Sequence, residues 1–112
     1  MRFRVKNISK GYCEVWGNEQ RMACVMYDEG MWHWSAKHNE PPFFMPFYTY
    51  EFKTRRECVN HCIRTALLRQ AKRAIEGGKG LSHCPCRSAL HDMQRSHLFS
   101  SVEMHEMRER ME

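Results

Sequence analysis

Two pairs of cysteines have spacings that suit metal binding. Cys58 and Cys62 are four residues apart, so in a helix both side chains leave the same side. Cys84 and Cys86 flank a proline farther along the chain. An extended return of the chain would let the two pairs meet, and four thiolates favour a closed tetrahedral zinc site. We therefore predict either no cofactor or one structural zinc, held by Cys58, Cys62, Cys84 and Cys86.

The cysteines also have two other interpretations. A rival ligand set combines Cys84 and Cys86 with His91 and His97. Alternatively, the thiols are free and buried, because cysteine packs well as a small apolar residue. The N-terminal residues are charged and lack an apolar segment typical of a signal peptide, so we do not expect a disulfide framework. We expect a cytoplasmic protein of a bacterial or infected host cell.

Positive charge is concentrated in two segments of this 112-residue chain, whose formal net charge is +5. Residues 1–10 carry four bases and no acid, and residues 53–80 carry eight bases and two acids. The segment between them holds two bases and six acids. Segregated positive charge attracts nucleic acid or an acidic protein surface.

These basic residues form the predicted nucleic-acid or anion-binding site. Alternation places three of them on one face of a first strand, and the others decorate a helix that follows. The predicted set is Arg2, Arg4, Lys6, Arg55, Arg56, Arg64, Arg69, Lys72 and Arg73. Phosphates bind Lys and Arg, so the chemistry fits, but a solvated strand face and an ordinary helix exterior would look the same.

Catalytic patterns do not stand out. His61 adjoins Cys62 and His83 adjoins Cys84, but sequence neighbours point apart on a helix, whereas a nucleophile needs a base within hydrogen-bond reach. The chain contains no G-x-S-x-G, P-loop or H-E-x-x-H pattern. We therefore predict that the protein is not an enzyme.

Short alternating segments predict the elements that position these residues. Residues 2–8, 12–16, 21–27 and 31–37 are typical of strands, and turn residues such as Gly11 and Gly30 separate them. Residues 47–52 are aromatic and could add an edge strand after a proline-containing loop. The short connections favour an antiparallel meander of four or five strands.

A long amphipathic helix is predicted over residues 54–76. Thr54 and Glu57 fit a capping box at its start, and Gly77 and Gly78 follow its end. The fold class is therefore α+β, with this helix packed on one face of the sheet and short helical segments after it.

The third strand is apolar on both faces, although one helix covers only one face of a sheet. The second face must meet the C-terminal segment, a second copy of the chain or a partner. We therefore predict an interaction surface made of aromatic and methionine side chains. Its predicted residues are Trp32, Trp34, Tyr48, Tyr50, Met104, Met107 and Met111.

The C-terminal third has weaker patterns. Residues 81–86 look irregular, residues 88–95 favour a short helix, and Ser100 and Glu103 form a second capping-box candidate. We divide the chain into a sheet-and-helix core domain, residues 1–80, and a C-terminal segment, residues 81–112. That segment either covers the sheet or docks on a partner.

The order of strands and then a helix that opens with Tyr50-Glu51-Phe52-Lys53-Thr54-Arg55-Arg56-Glu57 resembles small sheet-plus-helix DNA-binding modules. The arm-binding domains of phage integrases are one example, and the resemblance covers about half of the chain. The resemblance is one of architecture and by itself assigns no function.

Two functions remain in view. The first is a non-enzymatic module that binds nucleic acid, or a nucleic-acid-handling complex, through its basic surface. The second is an inhibitor or adaptor of the phage or mobile-element type, with or without a stabilising zinc, that contacts a host protein or nucleoprotein complex. A homodimer is compatible with both, and no segment is long and apolar enough to predict a membrane partner.

Overall fold

The computed structural model describes residues 2–36, 51–78 and 80–112. Its strands are β1 (Phe3–Ser9), β2 (Tyr12–Gly17), β3 (Gln20–Asp28) and β4 (Met31–Ala36). Its helices are α1 (Arg55–Glu76), α2 (Cys84–Ser96) and α3 (Ser101–Met111), with a short 3-10 turn at Gly80–Ser82. The predicted α+β class, with an antiparallel sheet, one long helix and short C-terminal helices, is confirmed.

The sheet is a simple meander in which each strand pairs with its sequence neighbour, in the order β1-β2-β3-β4. Its tight turns use left-handed backbone, with φ of +78° at Gly11 and +82° at Gly30. Between β2 and β3, Asn18 and Glu19 both have positive φ, as a two-residue hairpin turn requires. These turns set the register that brings the site residues together.

The predicted fifth strand falls mostly outside the described residues. Its last residue, Phe52, forms an isolated antiparallel bridge with Trp32. The two backbone N–H groups donate reciprocally, at 2.8 and 3.0 Å. In the described part of the chain the sheet therefore has four strands, and Phe52 touches its β4 edge.

Helix α1 begins as predicted, because the Thr54 hydroxyl accepts a hydrogen bond from the backbone N–H of Glu57 at 3.1 Å. Its first turns pack on one face of the sheet. The buried cluster there contains Cys13, Val15, Ala23 and Val25 from the sheet and Cys58, Val59 and Cys62 from the helix. Trp32, Trp34, Phe52 and Ile63 pack against this cluster.

The chain forms two compact units, Met1–Ile63 and Arg64–Glu112, here called the first and second units. The division falls inside α1, so the helix contributes residues to each unit. The division of the sequence at residue 80 stays a prediction. In the second unit the buried apolar side chains are Leu67, Ala71, Cys86, Ala89, Leu90, Met93, Met107 and Met111.

Helix α2 begins earlier than the sequence pattern indicated. Residues 84–86 were expected to be irregular, but they form its first turn. Pro85 is compatible with this position because the first turn of a helix leaves its N–H groups without intrahelical partners. The helix ends at Ser96, and His97 caps it with left-handed backbone at φ +59°.

The second predicted capping box is confirmed at the start of α3. Ser100 Oγ accepts a hydrogen bond from the Glu103 N–H at 3.1 Å. In return, the Ser100 N–H donates to Glu103 Oε1 at 2.9 Å. Two orphan backbone donors are thus satisfied by the short motif alone.

Candidate anion-binding face of the sheet

Three side chains form a basic and aromatic cluster on the sheet face opposite α1. Arg4 lies directly across from Trp16 in the β1–β2 register, and Lys6 is two residues farther along the same strand face. The guanidinium carbon of Arg4 lies 5.6 Å from the centroid of the Trp16 ring. The ammonium nitrogen of Lys6 lies 5.9 Å from it. We call Arg4, Lys6 and Trp16 the basic face.

The Trp16 ring is itself held in place. Its Nε1–H donates to Glu14 Oε1 at 3.2 Å. The other carboxylate oxygen of Glu14 accepts from Arg21 Nη1, also at 3.2 Å. A shallow cavity of about 380 Å³ adjoins these side chains, beside the turn after β2. The ring under the two cations is thus oriented by a fixed polar pair.

The two cations of the basic face are exposed. Glu14 is the Cα partner of Lys6 across the strands, but its carboxylate is already engaged by Trp16 and Arg21. Within the described part of the chain, neither Arg4 nor Lys6 forms an ion pair. Both charges therefore remain available to an external anion.

Arg2 and Arg55 add charge near the same strand. The backbone of Arg2 is fixed by Asn18, which accepts the Arg2 N–H through its side chain and donates its own N–H to the Arg2 carbonyl, each at 3.0 Å. Arg55 donates from its guanidinium to the Asn7 side chain. Because Asn7 and Lys6 point to opposite faces of β1, Arg55 reaches the strand from the α1 side. Cations therefore approach β1 from both faces.

The other predicted helix bases are divided between the two units. Arg56 is exposed in the first unit, and Arg69, Lys72 and Arg73 belong to the second. Arg64 is occupied inside the second unit, where its guanidinium binds the Glu103 carboxylate and the Leu98 carbonyl. Its role is therefore a structural contact, and we leave it out of the site.

The described members of the predicted aromatic and methionine surface are divided between the two units and differ in burial. Trp32 and Trp34 pack against the core of the first unit, and Trp34 Nε1 donates to His61 Nδ1 at 3.0 Å. Tyr48 and Tyr50 lie outside the described residues. Met107 and Met111 are buried in the second unit, whereas Met104 is half-buried. Met107 and Met111 therefore offer little exposed area to a partner.

The second face of β3 exposes little of the apolar side chains Met22 and Cys24. Cys24 is only 2% exposed, and Met22 is half-buried. The Tyr12 hydroxyl donates to Cys24 Sγ at 3.2 Å. Burial, followed by this hydrogen bond, raises the pKa of Tyr12 to about 12. The interaction surface on this face stays a prediction.

The four predicted zinc ligands have different environments. Cys58 and Cys62 are buried in the core cluster of the first unit, whereas Cys86 is buried and Cys84 exposed in the first turn of α2. Burial, with a smaller contribution from nearby Cys13, raises the pKa of Cys58 to about 12. Among residues 2–36, 51–78 and 80–112 no three His, Cys, Asp or Glu side chains group as a metal site. Zinc stays a prediction.

Known proteins offer no relative from which a function could be transferred. Searches against protein-family models, curated proteins and solved structures return no match to this chain. Among the described helices, none combines the length and apolar character needed to cross a bilayer.

Alternation along β1 identified Arg4 and Lys6 as site residues. The sequence pattern did not identify Trp16, whose ring lies near both cations. Glu14 and Trp16 alternate with apolar residues and so share one strand face, which was a readable signal. The pairing of Trp16 with Arg4 depends on the register between β1 and β2, which the pattern of either strand alone does not contain.

Proposed function

We propose that this protein is a non-enzymatic module that binds the phosphate backbone of nucleic acid through its basic face. The observation that carries the proposal is the placement of Arg4 and Lys6 over one fixed indole ring, with both charges exposed. A cation over an aromatic ring is attracted by its negative face, by about 0.5–1 kcal/mol at exposed sites. This attraction restricts the side chains before a ligand arrives.

A repeating anion fits this face better than a single one does. Arg2, Arg4 and Lys6 recur at every second residue of an extended strand, so their Cα atoms are spaced by roughly 6.6–6.8 Å. Lys10 continues the charge beyond the end of β1, and no acidic residue interrupts it. A row of like charges along one edge strand is complementary to a chain of phosphates.

The geometry favours backbone binding over reading of bases. Arg4 and Lys6 already lie near the Trp16 ring. We therefore expect these two cations to contact phosphates, and we do not expect the ring to stack on a base. Phosphate contacts position a protein on nucleic acid without carrying sequence information. We therefore expect weak sequence preference and strong dependence on salt.

The test is fluorescence anisotropy with labelled single-stranded and duplex oligonucleotides across a salt series. The double variant Arg4→Gln/Lys6→Gln should bind weakly and should reduce the slope of log affinity against log salt by about 1.5, because two phosphate contacts are lost. The matched control is Arg87→Gln/Arg110→Gln, which removes two exposed charges from the second unit. No binding by the natural chain at low salt, or equal losses in both variants, would reject the proposal.

A second candidate function, contact with a host protein as an inhibitor or adaptor, is favoured by β1, which is an edge strand among the described residues. This edge strand exposes Val5 (37%) and Ile8 (48%) beside its charges. Tagged protein carrying Val5→Lys/Ile8→Lys should lose a stoichiometric partner that the natural chain recovers from host lysate. Light scattering on the purified chain distinguishes this from self-association. Recovery of no partner by the natural chain would count against the second candidate.

A further inference from the structure

A cavity of about 550 Å³ lies in the second unit, where the C-terminal end of α2 faces α3. Its volume is within the range of small-molecule sites, roughly 300–1,000 Å³. Its walls include Gln94 and His97 from the end of α2, Phe99 from the connection, and Met104, His105 and Arg108 from α3. Its lining residues, as far as the structure describes them, all belong to the second unit.

Helix periodicity explains how α3 contributes some residues to the core of the second unit and others to the lining of the cavity. Ser101, Met104 and Arg108 are spaced by three, four and seven residues, so they share one face of the helix, which lines the cavity. Met107 and Met111 lie on the neighbouring face and are buried. The methionine pattern of α3 is therefore split, with Met104 left as part of the cavity wall.

The described lining of the cavity combines a guanidinium, imidazoles and apolar side chains. Arg108 is exposed and, within the described residues, forms no ion pair. His97 and His105 add imidazole nitrogens, and His105 Nε2 lies 3.0 Å from Glu109 Oε1. Among the residues that the structure describes, none that lines the cavity is acidic.

The apolar wall is formed by half-buried Phe99 and Met104. The Phe99 ring is also contacted by Arg64, whose guanidinium carbon lies 4.6 Å from the ring centroid. Because Arg64 is bound to Glu103, this ring has a fixed support. An apolar ligand surface would therefore meet a wall that is already ordered.

We propose that this cavity binds a small organic anion, with its carboxylate or phosphate on Arg108 and its apolar body against Phe99 and Met104. The guanidinium offers paired donors to an oxyanion, and within the described residues it forms no ion pair. This activity is separate from nucleic-acid binding, because it uses a different unit and different residues.

The test is a ¹H–¹⁵N correlation titration of the full chain with phenyl phosphate and, separately, with benzyl alcohol, a neutral analogue of similar size. Phenyl phosphate should shift the amides of His97, Phe99, Met104 and Arg108 in a saturable way. Benzyl alcohol should bind more weakly. Arg108→Gln should weaken phenyl phosphate binding about tenfold or more, since a hydrogen bond to a charged group is lost.

The controls separate this site from general charge and from the basic face. Arg110→Gln removes an exposed charge of the same helix that does not line the cavity, and it should leave the affinity unchanged. Arg4→Gln/Lys6→Gln should also bind phenyl phosphate normally, even if nucleic-acid binding is lost. No saturable shift at millimolar probe, equal binding of benzyl alcohol, or full affinity in Arg108→Gln would overturn the proposal.

Discussion

Arg64 and Glu103 form a bidentate pair that joins α1 to the start of α3 within the second unit. Arg64 Nη1 lies 3.1 Å from Glu103 Oε1, and Nη2 donates to Oε2. The same guanidinium donates to the Leu98 carbonyl at 2.9 Å. Glu103 also belongs to the capping box of Ser100. One carboxylate therefore supports a helix start and a contact between residues 39 apart in sequence.

Because of this pair, the free energy of unfolding depends on pH. The hydrogen bond from Arg64, followed by the backbone bond from Ser100, lowers the pKa of Glu103 to about 2 from its ordinary value of 4.5. A lowered folded-state pKa stabilises the protein above about pH 4.5, and this contribution disappears as pH falls toward 2. Both side chains are about one-third exposed, so we expect only about 1 kcal/mol at neutral pH.

Urea unfolding of Glu103→Gln between pH 7 and pH 2.5 checks this prediction. The variant should be less stable at pH 7, and the difference should shrink below pH 4.5. Glu106→Gln, at an exposed position of the same helix, is the control and should match the natural chain. A difference that stays constant down to the lowest pH would contradict the assigned role.

Gly80 and Gly78 should respond differently to alanine. Both have positive φ, +61° and +73°, so each alanine costs about 1–2 kcal/mol in backbone strain. At Gly80 an added Cβ would also lie 2.8 Å from the Met111 carbonyl oxygen, whereas at Gly78 it meets nothing within 4 Å. Denaturant unfolding should therefore show a larger loss for Gly80→Ala than for Gly78→Ala. Equal losses would show that α3 does not end against this turn.

Leu67 and Leu68 provide a second matched comparison. Leu67 is 0% exposed and Leu68 is 37% exposed, although they are neighbours on the same helix. Leu67→Ala should lower the free energy of unfolding by about 2–5 kcal/mol through lost burial and a cavity. Leu68→Ala should change it by about 0.5 kcal/mol or less. Similar losses of stability in the two variants would contradict the assignment of Leu67 to the buried face of α1.

The rate at which each cysteine reacts with a thiol reagent should depend on its exposure to solvent. Cys84 is exposed, and the other five cysteines are buried. In native protein Cys84 should be modified first, and Cys84→Ser should remove this fast phase. Cys58, whose raised pKa keeps it protonated, should react only on unfolding.

The same labelling tests the zinc prediction when it is combined with elemental analysis of untagged protein. A structural zinc on Cys84 would appear as one metal equivalent and would suppress the fast phase until a chelator is added. Metal-free protein with a fast Cys84 would reject it.

Local sequence patterns were sufficient to predict the strands, the long helix and the capping box of α3. Alternation identified β1, and the nearest-neighbour meander followed from short connections. The Ser100–Glu103 motif works within four residues, so no distant contact is needed to recognise it. Arg4 and Lys6 were identified as site residues for the same reason, because one strand face is defined by period two.

Tertiary structure decided which side chains became partners. Arg64 looked like one more exposed base, but α3 brings Glu103 to it, and Met107 was predicted to lie on a surface but is buried. The Arg4–Trp16 pairing needed the strand register, and the cavity at Arg108 needed the packing of α2 and α3. Periodicity shows the side of an element on which a residue lies. Only the positions of other elements, often tens of residues away, show what that side meets.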